Sequence, residues 1–197
     1  MAFHSSRKAK QPLDEAGLFE YAVRALSSRM LTVSQLKRRM RMRAEEGEAG
    51  VQAMDAVVQR LKELRYLDDS RYAADFTRMR QENEKFGKRR VQQDLMHRGV
   101  HGDVIKAAIE PAYEDVKEDA LARQYIERKR MKPPANEKET ARIVRRLVRA
   151  GFSTSSIFKV LRAWKVDEVD LAAELEAVLA EGQEAETPSE PDDPHGE

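Results

Sequence analysis

The chain has 197 residues, of which 41% are hydrophobic, 36% charged and 6% aromatic, a balance that predicts many amphipathic elements with wet faces and thin cores. It has no cysteine, no apolar run near 18 residues, and no apolar segment in the opening MAFHSSRKAK, which excludes disulfides, thiolate chemistry and a membrane span and leaves a soluble cytoplasmic protein as the expectation. The net charge of +1 conceals a segregation: residues 167–197 hold 12 of the 35 acidic residues and none of the 36 basic ones, so residues 1–166 carry a formal +13.

Read in chain order, the periodic stretches are helical. Leu18, Tyr21, Ala22, Ala25 and Leu26 recur at helical spacing. In LTVSQLKRRMRMRA, Thr32 and Gln35 fit a capping box and place Leu36 and Met40 on one face. A polar insertion, EEGEAG, then precedes Met54, Val57, Val58 and Leu61. In YLDDSRYAADFTRM the paired carboxylates Asp68 and Asp69 read as a helix start, one as N-cap and the other favourable to the helix dipole, with Tyr72 and Phe76 on the buried face. Gly87 precedes KRRVQQDLMHR, and Gly99 and Gly151 sit where left-handed helix ends want a residue without Cβ. The prolines of KPPANEKE lengthen the turn before a later helix. Trp164 closes the apolar pattern as a core or capping residue. LAAELEAVLAEG is expected to form one more acidic helix outside the core, and AETPSEPDDPHGE to be disordered.

Two constant shifts relate these segments. A shift of 52 pairs Val91 with Ile143, Leu95 with Leu147, Met96 with Val148, Gly99 with Gly151, Ile105 with Ile157 and Ile109 with Leu161. A shift of 55 pairs Tyr21 with Phe76, Leu31 with Phe86, Leu36 with Val91 and Met40 with Leu95. The repeat predicts an all-α fold of three tandem three-helix modules, helix-turn-helix-like and elongated and curved in arrangement. The expected boundaries are a flexible N-terminus over 1–17, modules over 18–67, 68–113 and 114–165, and an acidic helix with a disordered tail over 166–197.

The middle helix of each module is basic. Lys37, Arg38, Arg39 and Arg41 decorate the first, Lys88, Arg89 and Arg90 the second, and Arg142, Arg145 and Arg146 the third. One such run is an ordinary solvated face, but recurrence at equivalent positions points to a polyanion or an acidic protein groove. His97 and His101 are four apart, yet Gly99 ends the helix between them, which argues against a metal site. Met40, Met54, Met79 and Met96 read as core filler. With no phosphate-binding glycine loop and no nucleophile arrangement, the sequence offers no catalytic residues, no cofactor and no metal. The acidic tail reads as a counter-charge able to fold back on the basic body.

YLDDSRYAADFTRMR and GKRRVQQDLMHRGV, set within three such modules, resemble the RecX family of regulators of the bacterial RecA recombinase. Asp94 stands where that family more often has Glu, and Val91 where it more often has Ile. The resemblance implies a non-enzymatic, monomeric regulator that binds the RecA filament, touches single- or double-stranded DNA, and inhibits ATP hydrolysis, strand exchange and co-protease action. The ten basic residues named above are then the expected contact face. A direct DNA-binding transcription regulator of helix-turn-helix type is the alternative, and a helical scaffold for protein partners a third reading.

Overall fold

The computed structural model describes residues 11–166 and 168–184, and every regular element within them is an α-helix. These are α1 (Glu15–Ser28), α2 (Val33–Arg41), α3 (Glu48–Glu63), α4 (Asp69–Glu82), α5 (Lys88–His97), α6 (Gly102–Tyr113), α7 (Glu118–Arg128), α8 (Glu137–Arg149), α9 (Thr154–Arg162) and α10 (Glu168–Glu184). The all-α expectation is met. The described residues gather into two compact units, one running to Met79 and including Gln92–Glu114, the other of Arg80–Val91 with those from Asp115 onward.

In the first unit, α1, α2 and α3 close on Leu18, Ala22, Leu36, Met40, Val57 and Leu61, all buried. Asp14 caps α1 by accepting the Gly17 N–H at 2.8 Å. The helix therefore begins at Glu15, ahead of Leu18, and Leu13 is tied back by donating its N–H to the Arg43 carbonyl at 2.7 Å. Thr32 and Gln35 form the expected capping box at α2. The last residues of EEGEAG do not loop but open α3, where Gly50 lies against the Glu45 carbonyl with no room for a Cβ.

In the second unit α7, α8 and α9 bury Tyr125, Val144, Leu147, Phe152, Ile157 and Leu161. Phe152 meets the Tyr125 ring edge-on at 5.6 Å, and Phe86 lies 6.0 Å from Tyr125. Asn136 caps α8 after the two prolines, accepting the Glu139 N–H at 3.0 Å. The acidic segment departs from expectation. α10 packs on α8 and α9, and Leu171, Leu175 and Val178 are buried, because its apolar residues recur at spacings of three and four and form a helical stripe. It belongs to this core, so removing everything from residue 167 would strip a packed helix. The segment expected to be disordered, 185–197, and most of the expected flexible N-terminus, 1–10, lie outside the described residues.

Both units contain the same helix-end junction. In the first, Gly99 (φ +72°) ends α5, the Thr32 hydroxyl donates to the Arg98 carbonyl at 2.6 Å, and a Cβ on Gly99 would collide with Ser34 in the first turn of α2. In the second, Gly151 (φ +87°) ends α8, the Gly87 N–H donates to the Ala150 carbonyl at 2.8 Å, and a Cβ on Gly87 would strike the Gly151 carbonyl. Arg98 and Ala150 are 52 apart, and Thr32 and Gly87 are 55 apart, so the sequence shifts mark one repeated contact. One other expectation is corrected: Met79 and Met96 are 45% and 57% exposed rather than core filler. Trp164, read as core or capping, is half-buried in the turn after α9.

Replacing Gly87 by Ala should lower stability by about 1–3 kcal/mol through backbone overlap. Gly102→Ala, at a position with open space around it, should leave stability unchanged. Denaturant midpoints measured side by side check the pair, and equal midpoints would contradict the junction's tightness.

Candidate functional site

The ten basic positions singled out by sequence do not share one environment. On α2, Arg38 and Arg41 are exposed, while Lys37 and Arg39 are half-buried. Lys37 forms an ion pair with Asp55 of α3, so part of its charge is answered within the protein. Lys37, Arg38 and Arg41 line a groove of about 460 Å³ with Lys62, Asp69 and His101. Arg39 lies outside that groove's lining. Arg43 turns inward and stands 5.9 Å above the Tyr21 ring.

In the second unit Arg90, Arg142, Arg145 and Arg146 come together, with Arg149 added, around a cavity of about 440 Å³ floored by Phe86 and Tyr125. The first four belong to the contact face expected from sequence; Arg149 stands on the same basic helix, at i+3 and i+4 from Arg146 and Arg145, but was not assigned to that face. Phe86 is already flanked by cations, with Arg80 at 5.5 Å and Arg90 at 5.9 Å from its centroid. Lys88 and Arg89 are exposed and lie outside this cavity's lining. The arrangement supplies distributed positive charge on helix surfaces and no reacting group. Among the described residues no cluster of three His, Cys, Asp or Glu side chains could hold a metal. His101 caps α6, accepting weakly from the Asp103 N–H at 3.4 Å, while His97 ends α5.

Two carboxylates hold helix starts from a distance, which local reading did not reveal. Asp68 caps its own helix, accepting the Ser70 and Arg71 N–H groups at 2.9 and 3.0 Å. Asp69 reaches away and accepts the Val33 N–H at 2.9 Å, so it caps α2, the basic helix. In the second unit Glu118 accepts the Ser153 N–H at 2.9 Å, the Ser156 hydroxyl at 2.7 Å and the Ser153 hydroxyl, fixing the start of α9.

Comparison with known proteins adds the following. The family profile described as RecX, second three-helix domain, matches residues 68–109. The regulatory protein RecX of Caldanaerobacter subterraneus subsp. tengcongensis is 30% identical over 141 residues, covering 72% of this chain and 67% of that one. That of Mycolicibacterium smegmatis is 30% identical over 159 residues, covering 78% and 79%. The crystal structure of RecX from Lactobacillus salivarius shares the fold with a TM-score of 0.58 at 18% identity, over 77% of this chain and 97% of that one.

The two interhelix carboxylates respond differently to acid. Burial pushes Asp69 up, more than the Val33 N–H and the Lys62 charge pull it down, and Asp68 adds to the rise. At Glu118 burial also acts upward, but the Ser153 and Ser156 donors and the Arg89 charge outweigh it and hold the carboxyl below the ordinary glutamate range. A depressed acid stabilises the fold above its unfolded value, and that stabilisation is lost as pH falls through the folded value. Glu118→Gln should therefore cost about 1–2 kcal/mol at neutral pH, with the difference from wild type shrinking below the ordinary glutamate range. Urea denaturation at several pH values checks this; a difference independent of pH would contradict it.

Proposed function

The chain belongs to the RecX family, and from that premise we propose that it binds the RecA nucleoprotein filament and restrains its ATP hydrolysis, strand exchange and co-protease action, catalysing nothing itself. The observation that carries the reading is the recurrence of exposed cations on the second helix of each proposed module: Arg38 and Arg41 on α2, Lys88 and Arg89 on α5, Arg142 and Arg146 on α8. We take 18–67, 68–113 and 114–165 as the modules and the protein as a monomer in action. Phosphates and acidic side chains both attract such faces, and Arg adds paired donors in a fixed fork. Lys37, Arg39, Arg90 and Arg145 are assigned supporting places on the same helices.

Tethered contacts multiply through effective concentration, so several weak faces on one chain bind a repeating target far better than one. In an assay of RecA ATP hydrolysis on single-stranded DNA, the protein is expected to inhibit. Arg38→Glu with Arg41→Glu, or Arg142→Glu with Arg146→Glu, should each raise the concentration needed for inhibition by about tenfold, and both pairs together by about a hundredfold or more. Inhibition as strong with both pairs reversed as with either one would contradict the distributed face. No inhibition at all, alongside tight binding to one particular duplex sequence, would favour the transcription-regulator reading.

A further inference from the structure

Four non-glycine residues among those described have a left-handed backbone, and every one is basic: Arg65 (φ +58°), Lys85 (φ +59°), Arg130 (φ +50°) and Lys165 (φ +58°). L side chains adopt this region at a steric cost, which is why glycine is the usual residue at such helix ends. The chain itself supplies the comparison. After α5 and α8 the turn is closed by Gly99 and Gly151. After α7 the same closing pattern, with Arg130 N–H to the Glu127 carbonyl at 2.9 Å and Met131 N–H to the Ile126 carbonyl at 3.0 Å, is built on arginine. Gly99 and Gly151 are held to glycine by neighbours that leave no room for a Cβ, whereas Arg130 is exposed. Glycine would serve the Arg130 turn at lower conformational cost, so the side chain is kept for something the turn does not need.

Its surroundings say what. Arg130 lines a groove of about 500 Å³ with Lys129, Lys132, Arg142 and Arg146, faced by one carboxylate, Glu139. An acidic protein partner would want a large exposed aromatic or aliphatic anchor at the centre of the contact, but of the apolar lining residues Ile143 is buried, Met131 half-buried, and only the small ring of Pro133 is exposed. A phosphate backbone needs only distributed cations. The Arg65 turn differs, since it shares its groove with Asp68 and Asp69 as well as Lys62, and it is given no such role.

We propose that the turn from Lys129 to Lys132 is a contact site for the phosphate backbone of nucleic acid, with Arg130 held left-handed so that its guanidinium joins Arg142 and Arg146 in one groove. The proposal rests on the reading of α8 as a binding face and extends it to the turn before that helix, whose basic residues lie outside the ten-residue face expected from sequence.

The test uses the full chain, a fluorescent thymidine oligonucleotide and a salt series. Arg130→Gly should leave the melting temperature equal or higher, weaken binding, and reduce the slope of log affinity against log salt by about 0.7, the value for one phosphate contact on a single strand. A lower melting temperature would show that the arginine is kept for the helix end, and an unchanged slope that it touches no phosphate; either overturns the proposal. Loss of binding to polyglutamate with oligonucleotide binding intact would also overturn it, in favour of an acidic protein. Arg142→Glu with Arg146→Glu, measured in parallel, separates the two levels. If that pair weakens oligonucleotide binding and Arg130→Gly does not, only the turn proposal fails. If neither does, the α8 face fails as well.

Discussion

The contact on which the rest depends is a helix-end carbonyl held across a close approach, where the last turn of one basic helix meets the first turn of another. Its geometry is strict because a carbonyl, not a side chain, supplies the acceptor: Arg98 for the Thr32 hydroxyl and Ala150 for the Gly87 N–H. Gly99 and Gly151 provide the left-handed turn that brings those carbonyls out, and the absence of a Cβ lets the neighbouring turn approach. A side chain at the joint would separate the helices and turn their cationic surfaces elsewhere. The joint thus links three glycines without chemistry of their own to the placing of arginines that carry charge.

Around this joint the chain divides its polar groups by task. Some are spent on structure. Asp69 and Glu118 satisfy orphan N–H groups at the starts of α2 and α9, Arg98 stacks at 4.5 Å on the Phe76 ring, and Arg43 lies over Tyr21. Others stay on the surface, as Arg38, Arg41, Arg142 and Arg146 do. A count of basic residues per helix does not separate the two groups, but burial and partners do. α10 adds a further layer, since an acidic helix whose apolar stripe is buried stabilises the unit that holds the most arginine-rich helix.

Much of this was legible in the sequence where the cause is local or repeated. The Thr32–Gln35 box, the Asp68 cap and the glycine helix ends depend on neighbours within a few residues, and the 52- and 55-residue shifts mark the joint. Asp14 is equally legible, since Leu13-Asp14 repeats Leu67-Asp68, so the first module does not lack a capped start of that kind. What could not be read was which distant group each polar side chain serves. Nothing near Asp69 in sequence points to Val33, nor anything near Glu118 to Ser153. Composition also misjudged α10, where the acidic surface hid a periodic apolar stripe, and Met79 and Met96, which share helix faces with apolar residues yet lie at the solvent edge.

The proposed function turns on which surface would meet a RecA filament. Hydrogen–deuterium exchange on the full chain, with and without RecA assembled on single-stranded DNA, addresses it directly. The account predicts new protection concentrated in α2, α5 and α8 and in the turn before α8, with α1 and α4 little changed. Protection confined to α1, α4 and α10, with the basic helices exchanging as in the free protein, would contradict it.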